Sequence, residues 1–182
     1  MPAARLGSDT AGARDARRLS TLLEVSQALS GTLNFKAALQ RVLVTLMRHH
    51  SVVRGMVTLL RDGELQVEAV EGFEDRARTI RIRIGEGITG KVVESGKPIV
   101  VPRISKEPAF LNLAPRRPES TKQELSYICV PITLNRAAVG ALAVDLRFQP
   151  DRDYDSSVKF LGIVSSMIAQ ALNIQRIVEE ER

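Results

Sequence analysis

The stretch TIRIRIGEGITGKVVESGKPIVVPR, residues 79–103, decides the fold. Between residues 80 and 84, isoleucines alternate with arginines, which is the two-residue period of a strand with one buried face. Two glycines end this pattern, and the apolar spacing of residues 88–93 predicts a short helix that stops at Gly96. A proline then returns the chain to an extended conformation, and residues 99–101 form a second short strand. The stretch therefore predicts strand, glycine turn, short helix and strand.

Residues 85–90 formally match G-x-G-x-x-G, a pattern known from dinucleotide-binding turns. That turn needs a buried parallel strand before it and a full crossover helix after it. The strand here alternates with arginines, which is typical of an antiparallel sheet with one face in water. From residue 87 to residue 96 there is room for only about two to three helical turns, too few for a parallel crossover. We interpret the glycines as turn formers.

Composition limits the class of protein. At 182 residues with 44% hydrophobic content, the chain can bury one core of ordinary size, which predicts a single domain. The net charge is +5, but the basic residues are spread along the chain without a compact run, which argues against direct nucleic-acid binding. One cysteine excludes an internal disulfide. No secretory signal and no apolar run near 18 residues are apparent, so we expect a cytoplasmic chain without a membrane span.

The amino-terminal part divides into a leader and two helices. Residues 1–17 contain few large apolar side chains, so we expect a mobile leader and place the folded domain at residues 18–182. Helical spacing begins at Leu19, and a second helix follows Asn34 as its N-cap. His49 and His50 end that helix. No cysteine or further histidine completes a metal site with them, so we expect both to face solvent.

Two hairpins supply the rest of the predicted sheet. The first joins residues 53–60 to residues 65–70 through an Asp-Gly turn, and the second joins residues 126–134 to residues 139–146. With the strands of the opening stretch they give about six antiparallel strands. The fold class predicted is therefore α+β, with the terminal helices on one face of the sheet and a loop-covered pocket on the other.

The second hairpin separates two kinds of side chain. On one face, Ile128 and every second residue after it along the strand are bulky and aliphatic. The other face has smaller residues and carries Tyr127, Cys129 and Asp145. Such a face leaves room for a bound molecule, but small residues packed under a loop would show the same pattern, and both interpretations stay open. The covering loop would be residues 104–125. A loop of this length is usually a functional lid or disordered, and the apolar residues Phe110, Leu111 and Leu113 favour a lid because they let it dock.

The loop and its borders are rich in cations. Arginine donates two parallel hydrogen bonds to a carboxylate, so these cations suit an anionic metabolite such as a dicarboxylate, although arginines in loops are mostly solvated. Cys129 lies mid-strand, where a free thiol usually behaves as a small buried hydrophobe. No nucleophile lies beside a base, so we expect no enzyme and no metal site. The candidate ligand-binding residues are Arg103, Lys106, Arg116, Arg117, Lys122, Tyr127, Cys129 and Asp145.

The last helix is predicted from Ser156, with Asp153 or Asp155 as its cap. Its apolar residues from 160 to 178 follow alternating steps of four and three, which is the spacing of a coiled-coil seam. One sheet does not cover all of them. We expect the beginning of this helix to pack on the sheet, and its later part to meet either the first helix or a second chain in a homodimer.

Three segments resemble the GAF family of small-molecule sensor domains: GEGITGKVVESGKPIVV at 85–101, ICVPI at 128–132 and VGALAVD at 139–145. Within that family the chain is most similar to the amino-terminal domain of NifA-type, sigma-54-dependent activators of nitrogen fixation. The resemblance covers residues 19–180. It implies a regulatory domain that controls a downstream ATPase, with 2-oxoglutarate and NifL- or PII-type signalling proteins as inputs and no other cofactor.

Two kinds of GAF relative do not fit this sequence. Bilin-binding members attach their chromophore through a cysteine that is followed by a histidine, whereas Cys129 is followed by Val130. Methionine-sulfoxide reductases of this fold work with several cysteines, and this chain has one. The departures favour a sensor or a docking module over an enzyme.

Overall fold

The computed structural model describes residues 3–108 and 123–181, and within them four α-helices and six strands. Two 3-10 turns, Asp75–Thr79 and Ile104–Lys106, connect strands. The helices are α1 (Ala3–Leu29), α2 (Phe35–His49), α3 (Gly87–Ser95) and α4 (Tyr154–Glu180), and the strands are β1 (Val52–Arg61), β2 (Glu64–Glu71), β3 (Arg81–Ile82), β4 (Ile99–Val101), β5 (Leu125–Leu134) and β6 (Ala137–Arg147).

The six strands form one antiparallel sheet in the order β3-β2-β1-β6-β5-β4. Both hairpins turn through two residues with positive φ, 54° and 82° at Asp62 and Gly63 and 53° and 67° at Asn135 and Arg136. Such turns match the right-handed twist of the strands they join. The predicted α+β architecture and both predicted hairpins are confirmed.

The main core lies between the sheet and the layer of α1, α2 and α4. Ile128, Val130 and Ile132 of β5 point into it and are buried. Asn34 caps α2 by accepting a hydrogen bond from the backbone N–H of Ala37 at 3.0 Å, and Asp153 caps α4 in the same way from Ser156 at 3.1 Å. These caps fix the starts of both helices, as their side-chain types predict.

The opposite face of the sheet is covered by α3, which packs over β5 and β6. Val92 and Val93 of α3 meet Tyr127, Cys129 and Ala143 in a second, smaller core. The alternation along β5 thus assigns successive residues to two different layers, as the sequence predicts.

The glycine segment forms a compact turn instead of a phosphate-binding loop. The N–H of Gly85 donates to the carbonyl of Gly90 at 2.9 Å, and the N–H of Gly90 donates to the carbonyl of Glu86 at 2.9 Å. A Cβ at Gly90 would lie 2.5 Å from the carbonyl oxygen of Arg83, so this position requires glycine. The turn begins at Arg83 and takes the chain away from the sheet, which is why β3 has two residues and not the five that the alternation predicts.

Helix α1 includes most of the segment predicted to be a mobile leader, residues 1–17. It begins at Ala3 and continues without a break to Leu29. Alanine and arginine, which are frequent in this segment, are among the best helix formers, so a stretch with few large apolar residues is still helical. The mobility of the leader stays a prediction. The domain boundary at residue 18 stays a prediction.

Helix α4 is longer and more apolar than a surface helix. An 18-residue window within it has a mean hydropathy of 1.3, which by length and composition alone is enough to cross a membrane and corrects the prediction that no such run exists. In the structure 44% of that window is buried, and the helix lies against β5 and α1. Part of its apolar surface is therefore used in packing on the sheet and on α1.

The two histidines correct a further prediction, because neither side chain faces solvent freely. The His50 ring packs on Phe160 of α4 at 4.7 Å between centroids, and its Nε2 lies 2.9 Å from Thr21 Oγ1 of α1. His49 Nε2 lies 3.1 Å from a carboxylate oxygen of Glu24. The long α1 reaches the end of α2 and covers both rings, which local spacing along the sequence does not reveal.

Acidification is expected to destabilise the fold through His50. Burial, followed by the charge of Arg18, lowers its pKa from 6.5 to about 4. The unfolded chain therefore takes up the proton more readily, so the stabilisation is complete above about pH 6.5 and is lost as the pH falls toward 4. Allowing for partial solvent exposure, we expect a loss on the order of 1 kcal/mol between pH 7.5 and pH 5, measured by urea unfolding.

The matched variant is His50→Gln, which keeps a polar side chain but has no proton to gain in this range. Its stability should change less between the two pH values than that of the wild type. An equal change in both proteins would show that other groups account for the dependence.

Candidate ligand site on the sheet

A buried ion pair joins the two central strands on the face under α3. Arg54 of β1 and Asp145 of β6 are opposite each other in the register, and Arg54 Nε lies 2.9 Å from Asp145 Oδ2. The side chains are 4% and 1% exposed. The guanidinium also lies over the ring of Phe73, 5.1 Å from its centroid. Two opposite charges are thus held away from water beside the second core.

The ion pair does not use the full hydrogen-bonding capacity of Arg54. Its Nη2 is buried and has no hydrogen-bond partner among the residues that the structure describes. A guanidinium carries five N–H donors, and leaving a buried donor unused costs free energy. On the same face of β1, the hydroxyl of Thr58 is likewise buried and without a partner in the described part of the chain. These groups are suited to an acceptor that comes from outside the sheet.

Tyr127 of β5 extends the polar strip across the sheet, because it pairs with Asp145 in the register. Its phenol takes part in side-chain hydrogen bonds with Thr89 of α3 and with Cys129. Burial is the main cause that raises the pKa of Tyr127 well above its usual value, so the phenol keeps its proton and can donate. A polar strip thus runs from Arg54 to Tyr127 across the sheet, and the phenol at its end is hydrogen-bonded within the protein.

Cys129 is the small buried side chain that its position predicts. Burial raises the pKa of its thiol to about 12, so the reactive thiolate does not form at neutral pH. The side chain lies in the second core beside Ala143. It is suited to packing and not to nucleophilic chemistry.

The predicted site residues fall into three groups. Tyr127, Cys129 and Asp145 come together on the face under α3. Arg103 and Lys106 are exposed, and the Arg103 guanidinium stacks on the ring of Phe148 at 4.5 Å from its centroid. The remaining predicted residues lie outside the described part of the chain: Arg116, Arg117 and Lys122, with the apolar loop residues Phe110, Leu111 and Leu113.

Arg54 is the site residue that the sequence analysis missed. One signal for it exists in the sequence, since it is the only charged residue inside the otherwise apolar run from Val52 to Leu60. Its partner Asp145 is distant in sequence, and the pair depends on β1 lying beside β6. Among the described residues, no group of three histidine, cysteine, aspartate or glutamate side chains could hold a metal ion.

Sequence comparisons link the chain to regulators of nitrogen fixation. A profile of the GAF domain matches residues 34–172. The chain is 36% identical over 168 residues to a Nif-specific regulatory protein of Azospirillum brasilense, covering 90% of this chain and 27% of that protein. It is 35% identical over 161 residues to nitrogen fixation protein VnfA of Azotobacter vinelandii, covering 86% of this chain and 31% of that protein. The chain thus spans roughly 27% to 31% of these relatives.

Solved structures share the fold. The GAF domain of A. aeolicus nlh2, crystallised in an inactive state, superposes with a TM-score of 0.78 at 18% identity, over 89% of this chain and 99% of that one. A free methionine-R-sulfoxide reductase from Neisseria meningitidis gives 0.72 at 17% identity, over 88% and 91%. At these identities the likeness concerns the fold alone, and one fold hosts both regulators and enzymes.

Proposed function

This chain belongs to the GAF domain family, and from that premise we propose that it is the regulatory sensor domain of a nitrogen-fixation activator. In this proposal a small metabolite binds between the sheet face that carries Arg54 and the segment 104–125. The similarity to Nif-specific regulatory proteins and to VnfA supports the regulatory role. Control of a downstream ATPase, implied by the resemblance to NifA-type activators, is part of the same proposal.

The observation that carries the ligand proposal is the unused hydrogen-bonding capacity of Arg54. The guanidinium is almost fully buried, and its Nη2 lacks an acceptor in the described structure. A negatively charged oxygen of a ligand would supply the missing hydrogen-bond acceptor. The buried hydroxyl of Thr58 lies on the same face and also lacks a partner in the described part of the chain. These groups favour a carboxylate-bearing metabolite such as 2-oxoglutarate. The loop cations, from Arg103 to Lys122, would supply a second carboxylate contact.

Titration calorimetry of the chain with 2-oxoglutarate and with succinate tests this site. The informative variant is Arg54→Gln with Asp145→Asn, which removes both buried charges together. We expect it to bind 2-oxoglutarate at least about tenfold more weakly than the wild type, since a hydrogen bond to a charged group contributes about 1.5–3 kcal/mol.

The matched control is Arg41→Gln, which removes an exposed arginine of α2, on the helical side of the sheet and away from the proposed site. It should change the affinity less than the paired variant does. Equal affinity in the wild type and the paired variant would place the ligand elsewhere. Absence of binding to the wild type would favour a module that acts without a ligand.

That second candidate function, a docking and dimerisation module, is favoured by the outer face of α1 and α4. Ile174 and Val178 are 64% and 43% exposed, although they continue the apolar seam of α4. Leu19 and Leu23 of α1, together with Ile163 and Ile177 of α4, are exposed as well. We propose that a second copy covers this face through parallel terminal helices.

Sedimentation velocity tests the dimer. We expect the wild type to be dimeric at high micromolar concentration and Ile174→Glu with Val178→Glu to be monomeric, because buried carboxylates in the seam would be unpaired. A wild type that stays monomeric at that concentration would overturn the dimer. The proposal further includes a cytoplasmic location, no catalytic activity, and a NifL- or PII-type protein as partner.

A further inference from the structure

A second cluster of arginines surrounds a cavity on the helical side of the protein. The cavity has a volume of about 300 Å³ and lies where α1 passes the corner between α2 and β1 and the connection from β6 to α4. We call it the corner cavity. Three elements supply its polar and charged lining. Helix α1 contributes Arg14, Arg17 and Arg18, and the corner after α2 contributes His50 and Ser51. The connection from β6 into the first turn of α4 contributes Gln149, Asp151, Arg152, Asp153 and Ser157.

The charges around the corner cavity do not balance. Four guanidinium groups line it, three from one side of α1 and Arg152 from the connection before α4. They meet two carboxylates, and that of Asp153 is already engaged as the N-cap of α4. His50 stays neutral near pH 7, because burial lowers its pKa to about 4. The lining therefore carries an excess of positive charge at neutral pH.

Arg152 and Arg18 are held in place by the fold. Nη2 of Arg152 donates to the carbonyl of Arg147 at 2.8 Å, whereas its Nε is buried and has no partner in the described chain. Arg18 donates to the hydroxyl of Ser156 and lies over the ring of Phe160, 5.4 Å from its centroid. Two oriented cations from different elements thus border one small space.

The nearby carboxylates offset the burial and mutual repulsion of these cations only in part. Burial first, and then the charge of Arg14, lowers the pKa of Arg18, while the charges of Asp15 and Asp153 act in the opposite direction. Burial likewise lowers the pKa of Arg152, and the charge of Arg18 contributes in the same direction. Like charges in a partly desolvated space repel one another, and an anion between them would reverse that cost.

We propose that the corner cavity is a binding site for a small multivalent oxyanion, namely phosphate or the phosphoryl group of a small metabolite. Guanidinium groups approach from α1 on one side and from the connection before α4 on the other, which suits a tetrahedral acceptor with oxygens in several directions better than a planar carboxylate. The volume is at the lower end of the range for small-molecule sites. A bound anion would connect α1 to the first turn of α4. This site is separate from the face that carries Arg54.

The test is an NMR titration of the ¹⁵N-labelled chain at pH 7.5 with sodium phosphate and, in parallel, with glycerol 3-phosphate, at ionic strength kept constant with sodium chloride. Binding should shift the backbone amide signals of residues 50–52, 149 and 151–153. The two arms distinguish the sources, since tighter binding of glycerol 3-phosphate would identify a phosphorylated metabolite and equal binding would identify the free ion.

Arg152→Gln should weaken phosphate binding at least about tenfold, because it removes a charged donor. Arg17→Gln, at an exposed position where folding is unaffected, should weaken it about threefold and keeps the test valid if the first variant unfolds. The matched control is Arg41→Gln, an exposed arginine of α2 that does not line the cavity, and it should bind as the wild type does. Equal affinity in Arg17→Gln, Arg152→Gln and Arg41→Gln, or shifts that sodium chloride alone reproduces, would overturn the proposal.

Discussion

Replacing Arg54 with methionine is expected to lower the free energy of unfolding by about 3–5 kcal/mol. The substitution leaves the Asp145 carboxylate, 1% exposed, without the cation that lies 2.9 Å away. Desolvating an ion costs several kcal/mol, and that cost is no longer offset when its counter-charge is gone. Guanidinium chloride unfolding followed by circular dichroism measures the loss.

The control for this prediction removes both charges. Arg54→Met with Asp145→Leu should recover most of the stability, since a buried ion pair replaced by apolar residues of similar size is often neutral. Arg103→Met, which truncates an exposed cation, should change the stability by less than about 0.5 kcal/mol. A single variant as stable as the wild type would show that the carboxylate is not desolvated.

Replacing Ile128 with alanine is expected to lower the free energy of unfolding by about 2–5 kcal/mol. Ile128 is fully buried in the main core between β5 and the helical layer. The variant loses the transfer free energy of the deleted carbons, and the remaining cavity adds to the cost because close-packed neighbours relax only partly. Urea unfolding at pH 7.5 gives the difference directly.

Ile84→Ala makes the same chemical change at a side chain that is 43% exposed. It should lower the stability by clearly less than Ile128→Ala, because less apolar surface returns to water and no closed cavity forms. Similar losses in the two variants would mean that the alternation along β5 does not separate a core face from the rest.

Local patterns in the sequence predicted most of the fold correctly. The alternation in β5 and β6, the Asp-Gly turn of the first hairpin and the cap at Asn34 each depend on neighbours within a few residues. The resemblance to the GAF family supplied the arrangement of these elements. For the site, the position of Tyr127 and Asp145 on one face followed from the same two-residue period.

Features that depend on distant contacts were not predictable in this way. Arg54 matters because β1 pairs with β6, and His50 is covered because α1 begins far earlier than Leu19 and reaches the end of α2. In the glycine segment the turn begins at Arg83, within the stretch whose alternation predicts a strand. Strand β3 is therefore shorter than the alternating stretch. In each of these features, tertiary packing outweighed the conformational preference of the local sequence.

The division of β5 between two layers has a consequence for how this protein can evolve. Even-numbered residues of β5, such as Ile128 and Ile132, belong to the main core between the sheet and the helices. The odd-numbered residues Tyr127 and Cys129 belong to the second core under α3. Substitutions at odd-numbered positions can therefore alter the layer under α3 while leaving the main core unchanged. The two layers are encoded at interleaved positions of a single strand, so natural selection can change one while conserving the other.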